Sequence, residues 1–130
     1  MPLEAPIRKL LEDANFCHVG TVSKDGSAHV TPVWVHTDGE LIELNSAEGR
    51  LWVRNADRDG RVTCTVTSME NPYEFAEIRG TVAERTNEGA DEHIDFLHLK
   101  YKGSGKYPHK PGEQRVIFRI APERVRHRIY

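Results

Sequence analysis

The sequence predicts a mostly β domain in which six antiparallel strands form a partly closed barrel accompanied by three short helices. Apolar residues alternate with polar ones along several short segments, and Asp25-Gly26 and Asp38-Gly39 supply the tight turns that favour hairpins. In three other segments, apolar or charged residues recur every three or four positions, which is the spacing of one face of a helix. Small antiparallel sheets of this kind tend to close on themselves, which removes exposed edges.

An amphipathic helix and three strands are predicted for the first part of the chain. Leucine and isoleucine recur at helical spacing from Leu3 to Leu11, which predicts a helix over residues 3–14. The period then changes to alternation, which is typical of strands. Pro32 indicates an edge strand or a bulge, because proline cannot donate to a sheet ladder. The three strands are predicted over residues 16–23, 28–36 and 40–44.

The second half of the chain adds three strands and a helix. Val62, Cys64 and Val66 alternate with threonines, the pattern of a strand with one buried face. Gly80 lies inside the next strand and predicts a bend or a close approach to a neighbouring strand, because it has no side chain. The strands are predicted over residues 61–67, 73–86 and 116–120, and the helix over residues 89–101.

Composition excludes several classes of protein. The 130 residues carry a formal net charge of −2, so no broad basic surface for nucleic acid is expected. No apolar run approaches the roughly 20 residues that cross a bilayer, and the first residues lack the features of a secretory signal. Two cysteines are too few for a disulfide scaffold, and no histidine spacing favours a metal site. We expect one domain, residues 1–130, that is cytoplasmic and has no membrane, nucleic-acid or metal partner.

The segment after the third strand contains the strongest candidate for a binding site. Asn45 and Glu48 have the spacing of a capping box, which predicts that a helix begins there. Arg50, Arg54 and Arg58 would then share one face of this helix. Arginines beside the free N–H groups at a helix start can hold a phosphate dianion. A solvated row of charges, paired with nearby acidic residues, is the alternative, and the segment alone does not decide between them.

A second candidate is a run without acidic residues from His98 to Lys110. It contains four lysines, Lys100, Lys102, Lys106 and Lys110. The run is either a solvated loop or an electropositive lid beside a binding cleft. A lid of this charge would attract a ligand with an anionic tail.

Four segments, in this order, resemble the pyridoxamine-phosphate-oxidase-like family. Residues 20–35 are similar to its opening hairpin, residues 49–62 to its phosphate-binding helix and the strand after it, and residues 71–82 to its long central strand. Residues 94–108 resemble the late helix and loop of the subgroup that uses the deazaflavin coenzyme F420. The resemblance covers nearly the whole chain and implies the six-stranded split β-barrel that binds FMN in this family.

The resemblance implies a homodimer with two cofactor sites at the subunit interface and a small-molecule substrate. The cofactor would be coenzyme F420, with FMN as the alternative; the anionic oligoglutamate tail of F420 suits the run of lysines, and FMN has no such tail. The implied function is hydride transfer between the deazaflavin and a small organic acceptor. The alternative is an FMN- or haem-binding module without turnover of its own.

The resemblance also implies which residues contact the cofactor. Trp52 stands where many relatives carry a lysine; it cannot pair with phosphate, but it can stack on a ring or pack in the core. Tyr73 and Tyr107 are candidate proton donors, and no residue is marked as a catalytic acid by its surroundings in the sequence. The implied cofactor contacts are Val33, Ser46, Arg50, Trp52, Arg54 and Asn55 from one subunit, and Tyr73 and Arg79 from the other. The charge of the lysine run adds Lys102 and Lys106 as contacts near the anionic tail.

Overall fold

The computed structural model describes residues 2–130, which form three helices and seven strands. The helices predicted over residues 3–14 and 89–101 are confirmed to within two residues at each end. The helices are α1 (Ala5–Glu12), α2 (Leu51–Asp59) and α3 (Ala90–Lys102), and the strands are β1 (Cys17–Val22), β2 (Ala28–Val33), β3 (Val35–Thr37), β4 (Ile42–Ala47), β5 (Arg61–Thr67), β6 (Glu74–Thr86) and β7 (Arg115–Ile129).

The strands form a curled antiparallel sheet in the order β2-β1-β5-β6-β7-β4-β3. Its two edge strands, β2 and β3, are consecutive in the chain and are separated by Trp34 alone. The sequence predicted one strand here, over residues 28–36, and hence six strands in all. The chain instead changes neighbours at Trp34, because β2 pairs with β1 whereas β3 pairs with β4. The predicted split-barrel class is confirmed, with seven strands, and Pro32 lies on an edge strand as expected.

The longest strands, β6 and β7, pair along most of their length and come very close together at Gly80. The register of the pairing shifts between Arg79 and Gly80. A Cβ atom added to Gly80 would collide with the backbone oxygen of Ala121. The close approach predicted at Gly80 is therefore confirmed, and a larger residue there would force the two strands apart.

The barrel interior is closely packed with aliphatic and aromatic side chains, and helix α1 packs its apolar face into the same core. Each large apolar side chain that is fully buried contributes about 1.5–3 kcal/mol to folding. Cys17 and Cys64 are both buried and free. Within residues 2–130, no helix combines the length and the apolar character needed to cross a bilayer. The largest fully buried side chains include Leu11, Ile42, Leu44, Ile78, Leu97, Phe118 and Ile120.

Helix α2 begins later than the sequence predicted. Asn45 does not cap it, because strand β4 continues through Asn45 as far as Ala47. The side chain of Glu48 is also engaged elsewhere, in an ion pair with Arg85. Arg50 occupies the N-cap position, and its side chain makes no capping hydrogen bond. The predicted capping box was therefore wrong, while the helix itself is confirmed.

Candidate functional site

A cleft of about 330 Å³ opens beside the junction of the two edge strands, at the start of α2 and against α3. Its lining combines aromatic and aliphatic side chains with a few polar ones, the composition typical of small-molecule sites. A broader concavity of about 600 Å³ covers the outer face of β2, β1, β5 and β6 and is lined largely by polar side chains. The cleft is lined by Phe16, Pro32, Val33, Trp34, Asn45, Arg50, Ile94, Tyr107 and Arg115.

The polar part of the cleft is organised around Arg115, whose side chain is only 3% exposed. Its Nε donates a hydrogen bond to Oδ1 of Asn45 at 3.0 Å. Its Nη1 donates to the hydroxyl of Tyr107 and to Oε1 of Glu113, both at 3.2 Å. The guanidinium carbon lies 4.7 Å from the centre of the Tyr107 ring. These four residues, the Arg115 cluster, hold a buried positive charge in a fixed position, and Glu113 offsets part of it.

The apolar part of the cleft rests on a stack of three aromatic rings. The rings of Trp34 and Tyr101 are nearly parallel, 7° apart, with centroids separated by 5.1 Å. Phe16 stacks on the same tyrosine at 6.2 Å. The Tyr101 hydroxyl donates to the backbone oxygen of Asn15 at 2.6 Å, and burial raises its pKa to about 12. Tyr101 therefore remains neutral and fixes the positions of Phe16 and Trp34, which face the cleft.

Helix α3 is held against β4, next to the cleft, by polar and charged side chains. The side-chain nitrogen of Asn45 donates to the backbone oxygen of Ala90 at 3.0 Å. Glu43, in the same strand, lies 3.8 Å from Nε2 of His93, beyond hydrogen-bond distance, and accepts a hydrogen bond from Nε of Arg119 at 3.0 Å. These groups, His93 foremost, lower the pKa of Glu43 to about 2. The carboxylate is thus ionised at neutral pH and lies between Arg119 of β7 and His93 of α3.

The comparison with protein families agrees with this architecture. The family described as pyridoxamine 5'-phosphate oxidase matches residues 3–129. The chain belongs to this family. The resemblance found in the sequence is therefore confirmed over almost the whole chain. No functionally curated protein matches the sequence significantly.

Several solved structures share the fold of this family member. One described as an F420 reductase superposes with a TM-score of 0.85 at 27% identity, over 95% of this chain and 98% of that chain. A conserved hypothetical protein from Mycobacterium tuberculosis gives a TM-score of 0.78 at 22% identity, over 99% and 86% of the two chains. A putative pyridoxamine 5'-phosphate oxidase from Listeria innocua gives 0.70 at 20% identity, over 94% of each. The last two similarities concern the fold alone.

The structure divides the predicted row of arginines on α2. Arg50 lines the cleft, whereas Arg54 is exposed on the helix and is not among the lining residues. Arg58 turns towards β1, where its Nη2 donates to a backbone oxygen, and its Nη1 donates to Oδ1 of Asn55 at 3.2 Å. Asn55 is itself buried and donates to the hydroxyl of Thr21 at 3.1 Å. Of the three arginines, Arg50 reaches the cleft, and Asn55 and Arg58 join α2 to β1.

The other predicted contacts from the same subunit lie in different surroundings. Val33 lines the cleft. Ser46 follows Asn45 in β4 and is fully buried, and its Oγ has no hydrogen-bond partner among residues 2–130. Trp52 lies in the barrel core, 2% exposed, with its ring centroid 5.1 Å from that of Phe118. A lysine in that position would bury its ammonium among apolar side chains, which accounts for the tryptophan.

The two residues expected to reach a partner's cofactor lie outside the cleft. Tyr73 precedes β6 and is 66% exposed. Arg79 lies in β6, 3.6 Å from the carboxylate of Glu77, and lines the broad concavity. Both side chains are accessible to another subunit. Of the two candidate proton donors, Tyr107 lines this cleft and Tyr73 does not.

The lysines of the predicted lid do not act as one group. Lys102 and Lys106 are exposed, at the end of α3 and in the loop after it. Lys100 instead turns inward, where its Nζ donates to the backbone oxygens of Leu11 at 2.8 Å and Val35 at 2.6 Å. Burial lowers the pKa of Lys100 to about 8. Lys100 therefore joins α3 to the barrel, and the positive charge of the lid rests on the lysines after it.

Sequence reasoning missed several residues of the cleft, above all Arg115 and Asn45. Arg115 begins a strand, where an exposed arginine is common, and its partners lie 2, 8 and 70 residues away in the chain. No local pattern marks such a cluster. Trp34 carried a usable signal, because Val33, Trp34 and Val35 are three consecutive apolar residues that interrupt the alternation of a strand just after the edge proline.

Proposed function

We propose that this protein is an oxidoreductase that uses coenzyme F420, and that the cleft receives the cofactor in each subunit of a homodimer. The similarity to the F420 reductase, at 27% identity over 95% of this chain, carries this proposal. Fold alone does not fix a function, so the second support is the chemistry of the cleft itself. That chemistry combines ring faces with cationic side chains.

The cleft suits a planar ring that bears a phosphate. Phe16 and Trp34 offer apolar ring surface. Arg50 stands at the start of α2, where backbone N–H groups also favour an anion. In this arrangement Arg50 would contact the phosphate, and the backbone around Val33 and Ser46 would lie along the ring.

The chemistry of the reaction comes from the cofactor, which supplies a hydride to an organic acceptor when it is bound in its reduced form. The chain binds and orients the cofactor and the acceptor, and it excludes water from them. The hydroxyl of Tyr107 accepts a hydrogen bond from Arg115, so its own proton remains available for donation into the cleft. We propose Tyr107 as the residue that holds this proton for the acceptor.

The proposed homodimer would use the outer face of the sheet. Val30 is 62% exposed on this face and lines the broad concavity together with Arg79. A two-fold axis through this face would present the same residues from both subunits. Tyr73 and Arg79 would then be the contributions of one subunit to the cleft of the other.

FMN is the alternative cofactor, and a binding module without turnover is the alternative function. Titration of the purified protein with coenzyme F420 and separately with FMN, followed by the fluorescence of each cofactor, distinguishes the cofactors. Saturable binding of F420 at micromolar concentrations supports the proposal, and binding of FMN alone supports the alternative. Absence of binding by both would overturn the assignment of the cleft.

Turnover is tested by following the absorbance of reduced F420 with a panel of small conjugated acceptors. Oxidation that depends on both the protein and an acceptor supports the oxidoreductase. Tight binding of F420 without turnover of any acceptor supports the alternative, a cofactor-binding module without turnover of its own. A Tyr107→Phe variant tests the proton donor, because it should lower the rate of turnover by a larger factor than it lowers cofactor affinity, which also depends on the Tyr107 hydroxyl through Arg115.

A further inference from the structure

Two arginines from different elements reach the cleft beside the end of β4. Arg115 pairs with Ala47 in the ladder between β7 and β4. The backbone N–H of Arg50 lies 3.4 Å from the backbone oxygen of the same alanine. Both side chains line the cleft. The backbones of both arginines are therefore next to Ala47, and both side chains reach the same cleft.

The two arginines differ in how they are held. Arg50 is exposed and precedes the first turn of α2, so its side chain can adapt to a ligand. Arg115 is 97% buried and is fixed through Nε and Nη1 by Asn45, Tyr107 and Glu113. These bonds leave the N–H groups of Nη2 for a ligand in the cleft. A guanidinium that is already oriented loses little freedom when it binds an anion.

We propose that Arg115 is the second cation of a two-arginine site that binds the phosphate of the cofactor. The inference deepens the proposed function, on which it rests, by assigning a binding residue that no sequence pattern marked. Arg115 supplies a fixed charge from β7, and Arg50 supplies the mobile one.

Glu113 has a specific part in this site. Its Oε1 lies 3.2 Å from Nη1 of Arg115, and its side chain is 15% exposed. An incoming phosphate therefore competes with a carboxylate that already neutralises the arginine. Removing the charge of Glu113 should strengthen anion binding, whereas replacing the planar guanidinium of Arg115 should weaken anion binding. If the Arg115 cluster had only a structural role, the two substitutions would not change anion affinity in opposite directions.

The test uses full-length protein, the variants Arg115→Lys and Glu113→Gln, and the control Arg119→Lys. Arg119 lies in the same strand and pairs with Glu43, but it does not line the cleft. Affinities for F420 and FMN are measured by fluorescence, and binding of inorganic phosphate by the rise in the melting temperature. The phosphate arm distinguishes recognition of the phosphate group from recognition of the whole cofactor.

Arg115→Lys should weaken binding roughly tenfold to a hundredfold, because lysine cannot reproduce the planar fork. Glu113→Gln should strengthen binding roughly threefold or more. Arg119→Lys should change it by less than about twofold, because its contacts are separate. The melting temperature of each variant without ligand shows whether it is folded, and Glu113→Gln tests the inference even if Arg115→Lys is unstable.

The outcomes separate this inference from the proposed function. If the parent binds a cofactor and both variants bind as the parent does, Arg115 is not a ligand and the proposed function stands. If the parent binds phosphate but neither cofactor, and the variants shift phosphate binding in opposite directions, the inference stands and the proposed function fails. If the parent binds neither cofactor nor phosphate, both are overturned.

Discussion

Trp52 packs against Phe118 in the core of the barrel, with their ring centroids 5.1 Å apart. Trp52→Phe should keep most of this contact, whereas Trp52→Lys should lower the free energy of unfolding by at least about 3–5 kcal/mol, the usual loss for a large aromatic core residue. The buried ammonium adds a further cost. Chemical denaturation measures both changes. Cofactor affinity should be nearly unchanged in Trp52→Phe. A large loss of affinity in that variant, if it is folded, would show that Trp52 contacts the cofactor.

The sequence was most informative where a pattern repeats over several residues. The apolar residues of α1 recur at helical spacing and those of β5 alternate with polar residues, so each element has one face to bury. Both elements were predicted from these patterns. The start of α2 was misplaced because Asn45 and Glu48 fit a local motif, while tertiary contacts engage both side chains elsewhere. A capping side chain at a helix start stabilises the fold by about 1 kcal/mol, and strand pairing together with a buried hydrogen bond can contribute more than that.

The candidate site was less predictable than the fold for a related reason. Arg50 was found because it stands at a helix start, which is a local feature. Arg115 and Lys100 look like ordinary surface cations in the sequence, yet both side chains turn inward to partners distant in the chain. A buried cation depends on what surrounds it in three dimensions. Periodicity carries no information about such partners.

Arg50 and Arg54 provide a matched pair for testing the phosphate site. Arg50→Ala should weaken cofactor binding roughly tenfold to more than a hundredfold, because a charge-assisted hydrogen bond contributes about 1.5–3 kcal/mol. Arg54→Ala removes the same charge from the same helix but lies outside the cleft, so its effect should be much smaller. Both should leave stability within about 0.5 kcal/mol of the parent. Equal affinities for Arg50→Ala and the parent would show that the phosphate binds elsewhere.

The exposed lysines at the end of α3 and in the loop after it should favour the deazaflavin over FMN. Lys102, Lys106 and Lys110 are exposed, so each should contribute only about 0.2–1 kcal/mol to binding of the anionic tail. Affinity for F420 should fall steeply with salt, because the screening length shrinks from about 10 Å at 0.1 M to about 3 Å at 1 M.

The triple variant with serine at these three positions should show a flatter salt dependence for F420, and FMN binding should respond little in either protein. Lys100 is left unchanged, because it holds α3 to the barrel through backbone oxygens. Identical salt slopes in the parent and the variant would leave these lysines without a role in cofactor choice.

Glu43 should make the stability of the fold depend on acid pH. Its pKa is lowered from 4.5 to about 2, first by His93 and then by Arg119, and its side chain is 12% exposed. Because the folded state holds this proton less tightly than the unfolded chain, the stabilisation is complete above about pH 4.5 and is lost as the pH falls towards 2. The shift corresponds to about 3 kcal/mol.

Urea denaturation between pH 2 and 7 measures this contribution. Glu43→Gln should be less stable than the parent at pH 7, and the difference should narrow as the pH falls. His93→Gln should reduce the same pH dependence, because His93 is the first of the causes that lower the pKa of Glu43. Parallel curves for the parent and Glu43→Gln would exclude Glu43 as the source of acid sensitivity.

The outer face of the sheet should hold two subunits together. Val30 is exposed within the broad concavity on this face, so a two-fold axis there would bring both copies of it into the interface. Light scattering at micromolar concentration should give the mass of a dimer for the parent. Val30→Glu should shift the protein towards monomer, because burying like charges at an interface is costly.

Leu99→Glu is the control for this substitution, because Leu99 is also an exposed apolar residue but lies on α3, away from the concavity. It should remain a dimer. If the cleft is shared as proposed, Val30→Glu should also lose cofactor affinity as it dissociates, and affinity should recover at high protein concentration. A parent that is a stable monomer and binds the cofactor fully would contradict the shared site and leave Tyr73 and Arg79 without a role in it.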